Sequence, residues 1–240
     1  MAPSSKRALI AVSSYNEPFY KDGSKTGVFV VEALHPFDAL TEKGFEVDIV
    51  SETGSFGYDE HSLSPDFLNG RDLEVFEDPS SKFNMAMANV KRASDLRPED
   101  YSIFFASAGH ATLYDYPKAG GLHVLASKIY ANGGVVAAVC HGPAIFEGLM
   151  DESTGKHIIQ GKSITGFTDV GEKMLDVDSI MEADKLHSIE DVARICGAKY
   201  LPPIGPWDDY SVTDGRIVTG VNPASAHSTA VRAINALRTG

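Results

Sequence analysis

A cysteine followed by a histidine, Cys140-His141, is the part of this sequence best equipped for chemistry. The pair follows the apolar run 135–139 and precedes Gly142-Pro143. A buried strand, a tight turn and the start of a helix form a nucleophile elbow, which holds a reactive side chain clear of the strand ends. A thiol at a helix start also faces the positive end of the helix dipole, which favours the thiolate. The segment predicts a nucleophilic Cys140, with a buried structural cysteine as the alternative.

A cysteine nucleophile needs a base, and two side chains are predicted to serve it. His141 is adjacent, and a strained turn lets its imidazole face the sulfur; the alternative is a polar residue at a helix start. Glu32 lies in the otherwise apolar segment 28–34, so it is either on a solvated face or a buried acid. Burial would raise the pKa of Glu32 and let it hold or pass a proton near neutral pH.

Gly109-His110 follows another apolar run, 101–106, and predicts a second part of the same site. The backbone N–H of Gly109, together with that of His141, can donate to a developing oxyanion, although a glycine at a strand end is commonly just a turn. Trp207 is either a pocket wall or a surface aromatic. No histidine pair, zinc-ligand spacing, G-x-G-x-x-G or P-loop motif occurs, so we predict no metal and no cofactor.

The elements that must position these residues alternate between strand and helix. Apolar runs at 8–12, 101–106 and 135–139 predict strands, as does the alternation of apolar and polar residues at 45–51. Helices are predicted between them and at the end of the chain. This order predicts an α/β fold with a doubly wound, mostly parallel, flavodoxin-like sheet sandwiched by helices, and a small polar hairpin inserted at 151–162. We interpret residues 1–240 as a single domain. Gly109-His110 and Cys140-His141 then both follow the carboxyl ends of strands, where sheets of this kind bind ligands.

Composition narrows the classes of partner. The 240 residues carry 21 Lys and Arg against 33 Asp and Glu, a net charge of −12, with no basic cluster, so we predict no nucleic-acid partner. The two cysteines form no C-x-x-C pair, which suits a reducing compartment. The apolar run near the N-terminus is too short for a signal peptide or a membrane span. We expect a cytoplasmic protein that also reaches the nucleus by diffusion and binds no membrane.

Several segments resemble the PfpI/ThiJ superfamily. They are Ala137-Ala138-Val139-Cys140-His141-Gly142-Pro143, Ala106-Ser107-Ala108-Gly109-His110 and Glu32. Two longer blocks, 25–36 and 222–226, resemble its fungal branch of heat-shock-protein-thirty-one-type proteins, described as glutathione-independent glyoxalase III enzymes with chaperone activity. The resemblance extends from Ala8 to Leu237. One departure is Ala111, where the family pattern leads us to expect glycine and where the loop geometry is therefore in question.

The resemblance implies a role for each matching position. Cys140 would be the nucleophile, Glu32 the proton-handling acid, and Glu172 the acid that orients His141. The backbones of Gly109 and His141 would form the oxyanion site, with His110 beside the substrate. It also implies a homodimer that needs neither a metal nor glutathione.

The function implied is conversion of methylglyoxal, and of glyoxal by the same route, into a hydroxy acid, D-lactate in the first case. A hemithioacetal on Cys140 would pass through an enediol to a thioester. One alternative is a peptidase or amidase, because the same elbow serves amide cleavage. Another is a stress chaperone that binds misfolded proteins, or a cysteine redox sensor. Holdase activity that survives loss of Cys140 would distinguish the chaperone from the enzyme.

Overall fold

A seven-stranded sheet lies at the centre of the computed structural model, which describes residues 6–239. Its strands are β1 (Arg7–Ala11), β2 (Glu46–Ser51), β3 (Lys91–Arg92), β4 (Ile103–Ala106), β5 (Val135–Val139), β10 (Ser211–Asp214) and β11 (Ile217–Gly220). They are arranged in the order β10-β11-β5-β4-β1-β2-β3. All neighbours run parallel except β10 and β11, which pair as an antiparallel hairpin. The predicted mostly parallel, doubly wound sheet is confirmed.

Helices cover both faces of this sheet. They are α1 (Val30–Glu42), α2 (Gly70–Glu77), α3 (Lys82–Met87), α4 (Thr112–Asp115), α5 (Gly120–Ala131), α6 (Asp169–Met174), α7 (Asp178–Ala183), α8 (Ile189–Ile195) and α9 (Ala226–Thr239). Buried residues of α1, α3 and α9 pack in one apolar core, and those of α5 and α8 pack in a second. Two cores separated by a sheet are the expected result of βαβ connections that place helices on both faces.

Strand β5 shows why its sequence reads as one continuous apolar run. All five of its residues are buried. Val136 and Ala138 face the core of α5 and α8, whereas Val135, Ala137 and Val139 face the core of α1 and α9. Side chains alternate along a strand, so a strand covered on both faces needs apolar residues at every position.

The sheet brings three loops together at one edge. Strands β1, β4 and β5 are neighbours and parallel, so the loops after their carboxyl ends adjoin. The N–H of Phe29, at the start of α1, donates to the carbonyl of Ala108 in the loop after β4. Helix α1 then continues past Pro36, and Gly44 follows its end with φ of 80°. The first turn of α1 therefore lies beside the ends of β4 and β5.

The polar hairpin predicted at 151–162 is confirmed, because β6 (Met150–Asp151) and β7 (Lys156–His157) pair antiparallel. The sequence Ile164-Thr165-Gly166-Phe167 also predicts a strand, but only Ser163–Ile164 forms one, β8, which pairs with β9 (Lys199–Tyr200). Within residues 6–239, no helix has the length and apolar character needed to cross a bilayer.

Candidate active site

Cys140 occupies a strained turn directly after β5. Its φ of 57° places a non-glycine residue in the left-handed region, which L residues rarely adopt. The backbone holds this conformation from both sides: Cys140 N–H donates to the Gly220 carbonyl, and Phe167 N–H donates to the Cys140 carbonyl, each at 2.9 Å. A side chain on Gly142 would lie 2.5 Å from the Ala106 carbonyl oxygen. The turn is therefore fixed by strands β4 and β11 as well as by its own residues, as an elbow requires.

The expectation of a helix dipole that favours a Cys140 thiolate is wrong. The segment after the elbow, Gly142–Glu147, is a buried 3-10 helix of six residues and not an α-helix. Burial raises the pKa of the Cys140 thiol, and the neighbouring Glu32 carboxyl raises it further. The resting sulfur is therefore a thiol, and it needs a base at the moment of reaction.

His141 lies beside the thiol in a defined tautomer and is placed to act as that base. Its Nδ1 lies 3.2 Å from Cys140 Sγ, and its Nε2 lies 2.7 Å from Glu172 Oε1. Burial alone would raise the pKa of Glu172, but the charges and hydrogen bonds of His141 and His110 outweigh burial and lower it to about 2. An ionised carboxylate only accepts, so Nε2 of His141 carries the hydrogen and Nδ1 offers its lone pair to the thiol. Burial lowers the pKa of His141, which keeps this imidazole neutral at rest.

A second imidazole shares the same carboxylate. His110 Nε2 lies 2.9 Å from Glu172 Oε2, and the rings of His110 and His141 are 4.0 Å apart between centroids. Beyond it, Tyr20 Oη lies 3.4 Å from His110 Nδ1 and donates to the buried Asp59 at 2.8 Å. The sequence placed His110 beside the substrate but indicated neither its bond to Glu172 nor the participation of Tyr20 and Asp59. These two lie in segments without periodicity, so no pattern signalled them.

Glu32 is a buried acid. It lies in the first turn of α1 with 0% of its surface exposed. Neither carboxyl oxygen makes a hydrogen bond of ordinary geometry with any residue in 6–239, although the carboxyl interacts with the Cys140 thiol. Burial raises the pKa of Glu32 to about 8, and the interaction with the thiol only partly opposes that rise. The open alternative between a solvated and a buried Glu32 is thus decided for burial.

Gly109 is required by close packing at the end of β4. Its φ is 137°, and a Cβ there would lie 2.1 Å from the carbonyl oxygen of Gly27. Gly109 borders the same cavity as Cys140 and His141, so the predicted oxyanion donors adjoin the thiol. Ala111, the departure from the family pattern, has φ of −52° and ψ of −33°, values that alanine adopts without strain.

The cavity above Cys140 has a volume of about 300 Å³. Its reactive base is formed by Gly109, His110, Cys140 and His141. Its walls are mainly apolar and are formed by Phe29, Phe67, Phe167, Met174, Leu175 and Trp207. Glu32 and Glu172 are not among the lining residues: Glu32 lies against the Cys140 thiol, and Glu172 lies behind the two histidines. Of the two interpretations of Trp207, the pocket wall is correct.

The ligand atoms of His110, His141 and Glu172 lie within 4.8 Å of one another, a spacing that a divalent metal ion could use. The two N–H···O hydrogen bonds from the imidazoles to Glu172 account for this spacing without an ion. The arrangement is therefore that of a hydrogen-bonded Cys-His-Glu triad with an additional histidine, and we assign no metal to it.

The model of the DJ-1/PfpI family matches residues 25–236. The chain belongs to the DJ-1/PfpI family. Among curated members, the glutathione-independent glyoxalase HSP31 of Saccharomyces cerevisiae is 66% identical over 238 residues, which cover 99% of this chain and 100% of that protein. Glyoxalase 3 of Candida albicans is 60% identical over 93% of this chain and 95% of its own length.

A solved structure of the DJ-1/PfpI family agrees over nearly the whole chain. The crystal structure of glyoxalase III from Candida albicans superposes with a TM-score of 0.95 at 59% identity and covers 96% of each chain. The family membership and the fold that the sequence predicted are both confirmed.

Proposed function

We propose that this protein is a glutathione-independent glyoxalase that converts methylglyoxal to D-lactate and accepts glyoxal by the same route. Two relatives that match this chain over at least 93% of its length, at 66% and 60% identity, are named glyoxalases. The observation that carries the proposal is the fully buried Glu32 against the Cys140 thiol, with a pKa of about 8. An acid of this kind both donates and accepts a proton near neutral pH, which the isomerisation of a 2-oxoaldehyde requires.

In the first step, Sγ of Cys140 attacks the aldehyde carbon and forms a C–S bond. The thiol proton passes to Nδ1 of His141, 3.2 Å away. The aldehyde oxygen takes the proton of the Glu32 carboxyl. The product is a hemithioacetal, with Glu32 ionised and His141 protonated beside the Glu172 carboxylate. Because Glu172 is already ionised, it balances the new imidazolium charge without moving a proton.

The second step moves hydrogen between the two carbons. The Glu32 carboxylate removes the proton from the sulfur-bearing carbon, while His141 returns its proton to the ketone oxygen, so that an enediol forms. Glu32 then delivers its proton to the neighbouring carbon, and His141 takes the proton of the hydroxyl on the sulfur-bearing carbon. The former aldehyde carbon is oxidised to a thioester and the ketone carbon is reduced to an alcohol, so no external oxidant is needed.

In the last step, water hydrolyses the thioester. Ionised Glu32 takes a proton from the attacking water, the C–S bond breaks, and sulfur recovers the proton held by His141. Backbone N–H groups of Gly109 and His141 are the predicted donors to the oxyanion of the tetrahedral intermediate. Over the cycle, methylglyoxal and one water become lactic acid, which then ionises, and each side chain regains its starting proton.

The same triad could cleave an amide, so Glu32 matters for the choice between the two chemistries. Amide hydrolysis needs the nucleophile, the histidine and its carboxylate, but no second acid buried against the thiol. A carbon-to-carbon proton transfer does need such a group next to the atom that carries the substrate. Glu32 therefore favours the glyoxalase over the peptidase or amidase.

The test is formation of D-lactate from methylglyoxal by the purified, reduced protein without glutathione, beside Cys140→Ala and Glu32→Gln. Cys196→Ala is the matched control, because Cys196 is also buried but lies outside the cavity. We expect activity in the parent and in Cys196→Ala, and its loss in the other two variants. No activity in the folded parent would refute the glyoxalase. Activity that survives Glu32→Gln would keep the enzyme class and transfer the carbon-to-carbon step to His141.

We further propose a homodimer that works in the cytoplasm and reaches the nucleus by diffusion. The family resemblance supports the dimer, and the two unpaired cysteines support a reducing compartment. Sedimentation of the purified protein tests the assembly state, and microscopy of a tagged chain tests the location.

A further inference from the structure

The cavity above Cys140 is larger than a three-carbon dicarbonyl needs. Its volume is about 300 Å³, which is the lower end of the range of about 300 to 1,000 Å³ typical of pockets for drug-sized ligands. Methylglyoxal has only a methyl group beyond its two carbonyl groups. Most of the cavity would remain outside the reach of that substrate when its aldehyde carbon is bonded to Sγ.

Most side chains around the surplus space are apolar, and the imidazole of His61, which also lines the cavity, already faces Asp22 at 3.0 Å between Nε2 and Oδ2. Among the described residues that line the cavity, none is lysine or arginine, and the acidic Glu32 and Glu172 lie behind the lining. A phosphate or carboxylate on the substrate would lose its hydration there without gaining a lysine or arginine as partner. An aromatic or branched aliphatic group would instead be removed from water against aromatic walls, which is favourable in proportion to the area buried.

One wall is continuous from the triad to the mouth of the cavity. The Phe167 ring packs 4.7 Å from the His141 ring, and the Trp207 ring packs 5.6 Å from that of Phe167. Phe67 also borders the cavity and packs edge-on against Phe29 at 4.9 Å. Trp207 is 42% exposed and Phe67 is 39% exposed, so both have surface at the mouth that a bound group can cover.

The backbone on both sides of Trp207 is held by hydrogen bonds that do not depend on a substrate. The buried Asn222 donates from Nδ2 to the carbonyls of Pro206 and Asp208, each at 2.8 Å, on the two sides of Trp207. Gly205 N–H donates to Asp208 Oδ2 and tightens the same loop. A wall held in this way can distinguish substrates, because no loop has to lose conformational entropy when the substrate binds.

We propose that the preferred substrates are 2-oxoaldehydes with an aromatic or branched aliphatic group on the ketone carbon, and that Trp207 is the residue that selects them. This rests on the proposed function, because it concerns the same attack by Cys140 and the same proton transfers. Each such substrate takes up one water and becomes the corresponding 2-hydroxy acid; phenylglyoxal gives mandelate. The chemistry at the two carbonyl carbons is unchanged, and only the group in the apolar part of the cavity differs.

The experiment compares initial kcat/KM for methylglyoxal, 4-methyl-2-oxopentanal, phenylglyoxal and hydroxypyruvaldehyde phosphate, with the 2-hydroxy acid measured as product. Initial rates are needed because phenylglyoxal also reacts with arginine side chains. The variants are Trp207→Ala, Trp207→Phe and the control Val124→Ala, which alters a 52% exposed apolar residue on α5, outside the cavity. Circular dichroism and thermal unfolding show whether each variant is folded.

We expect kcat/KM in the parent to be about tenfold higher for the two bulky apolar substrates than for methylglyoxal, and lowest for the phosphate. Trp207→Ala should lower kcat/KM for phenylglyoxal about tenfold more than it lowers kcat/KM for methylglyoxal, mainly through a rise in KM for phenylglyoxal. Trp207→Phe should keep most of the preference, and Val124→Ala all of it.

An equal loss for all substrates in folded Trp207→Ala would overturn the role of Trp207. If the parent acts on methylglyoxal but its kcat/KM is no higher for the two bulky apolar substrates, the proposed substrate class is overturned. The proposed function then stands. Absence of hydroxy acid from every substrate, methylglyoxal included, would overturn both and so identifies failure of the proposed function itself.

Discussion

At the residue scale, the site contains three buried acids and bases in different protonation states. Glu172 is ionised because two imidazoles donate hydrogen bonds to it. Glu32 is protonated at neutral pH because burial raises its pKa and the interaction with the Cys140 thiol offsets only part of that rise. His141 is neutral between them. Two carboxyl groups with pKa values of about 2 and about 8 suit different roles in the proposed reaction: Glu172 can orient His141, and Glu32 can carry the proton.

The first prediction concerns the stability of Glu32→Gln. The pKa of Glu32 in the folded protein is about 8, above its ordinary value of 4.5. The folded protein therefore binds more protons than the unfolded chain between these values, and the free energy of unfolding falls as pH rises through that window. Glutamine cannot ionise, so Glu32→Gln should lack this fall and become more stable than the parent, by a few kcal/mol, above pH 8.

Urea unfolding at pH 5.5 and pH 8.5 measures this difference. Glu99→Gln, at an exposed glutamate, is the control and should follow the parent at both pH values. A Glu32→Gln protein whose stability tracks the parent across the range would show that Glu32 is ionised or hydrated in the folded state.

The second prediction concerns Glu172→Gln. An amide nitrogen would face the N–H of one imidazole, so His141 would lose the tautomer that presents the Nδ1 lone pair to Cys140. Loss of the corresponding group in a hydrolase triad lowers kcat by roughly 10⁴, and we expect a fall of at least about 10² here. A second measurement is the rate of Cys140 alkylation by iodoacetamide against pH, which should slow near neutral pH. If Glu172→Gln has the alkylation rate and kcat of the parent, Glu172 has no part in the reaction.

At the element scale, the elbow depends on how closely β5, β4 and β11 approach. The Cys140 backbone is hydrogen-bonded to the end of β11, and Gly142 packs on the end of β4. The strained φ of Cys140 is thus maintained by the sheet and not by the turn alone.

The third prediction follows from this packing. Gly142→Ala places a Cβ 2.5 Å from the Ala106 carbonyl oxygen, which is backbone and cannot rotate away. We expect a loss of about 1 to 3 kcal/mol in the free energy of unfolding and a reduced kcat, because the strand end and the thiol must shift together. Gly120→Ala is the matched control, since a Cβ there meets nothing within 4 Å at the start of α5. A Gly142→Ala protein as stable and active as Gly120→Ala would contradict the argument.

At the scale of the whole molecule, the mouth of the cavity joins an exposed apolar surface. Met174, Leu175 and Trp207 line the cavity and are also exposed to solvent. Val170, on the same helix α6, and Ile204, in the same loop as Trp207, are exposed as well. Exposed apolar residues beside a cavity often mark a binding function. The chaperone hypothesis therefore has a surface to test that does not include the thiol.

The fourth prediction separates this surface from catalysis. If the protein is also a holdase, Cys140→Ala should suppress aggregation of a heated client protein as well as the parent does while forming no D-lactate. Met174→Glu, which adds a charge to the surface, should weaken suppression by several-fold, whereas Val124→Glu on α5 should not. Light scattering measures the aggregation of the client protein. If Met174→Glu and Val124→Glu suppress it equally well, the client binds to another surface.

The sequence alone determined the order of strands and helices, because a parallel strand covered on both faces must be apolar at every position, as β5 is. It also determined the elbow, because few residue types allow a strand to turn sharply and expose a side chain. The sequence did not determine the short extent of the strand at Ser163–Ile164 or the 3-10 geometry of Gly142–Glu147. Local patterns do not set where strand pairing ends or which type of helix fits a buried space.

Only the tertiary structure decided the chemistry of the site. Glu32 and Cys140 are more than a hundred residues apart in sequence, and whether Glu32 is solvated or buried depends on how α1 packs against the end of β5. The thiol that the local sequence predicted to be a thiolate is held neutral by that same burial. Loops also bring residues to the site: Tyr20 and Trp207 line the cavity, and Asp59 accepts a hydrogen bond from Tyr20. The paths of these loops follow from long-range contacts. Desolvation is a property of the whole fold, and so are the pKa values that follow from it.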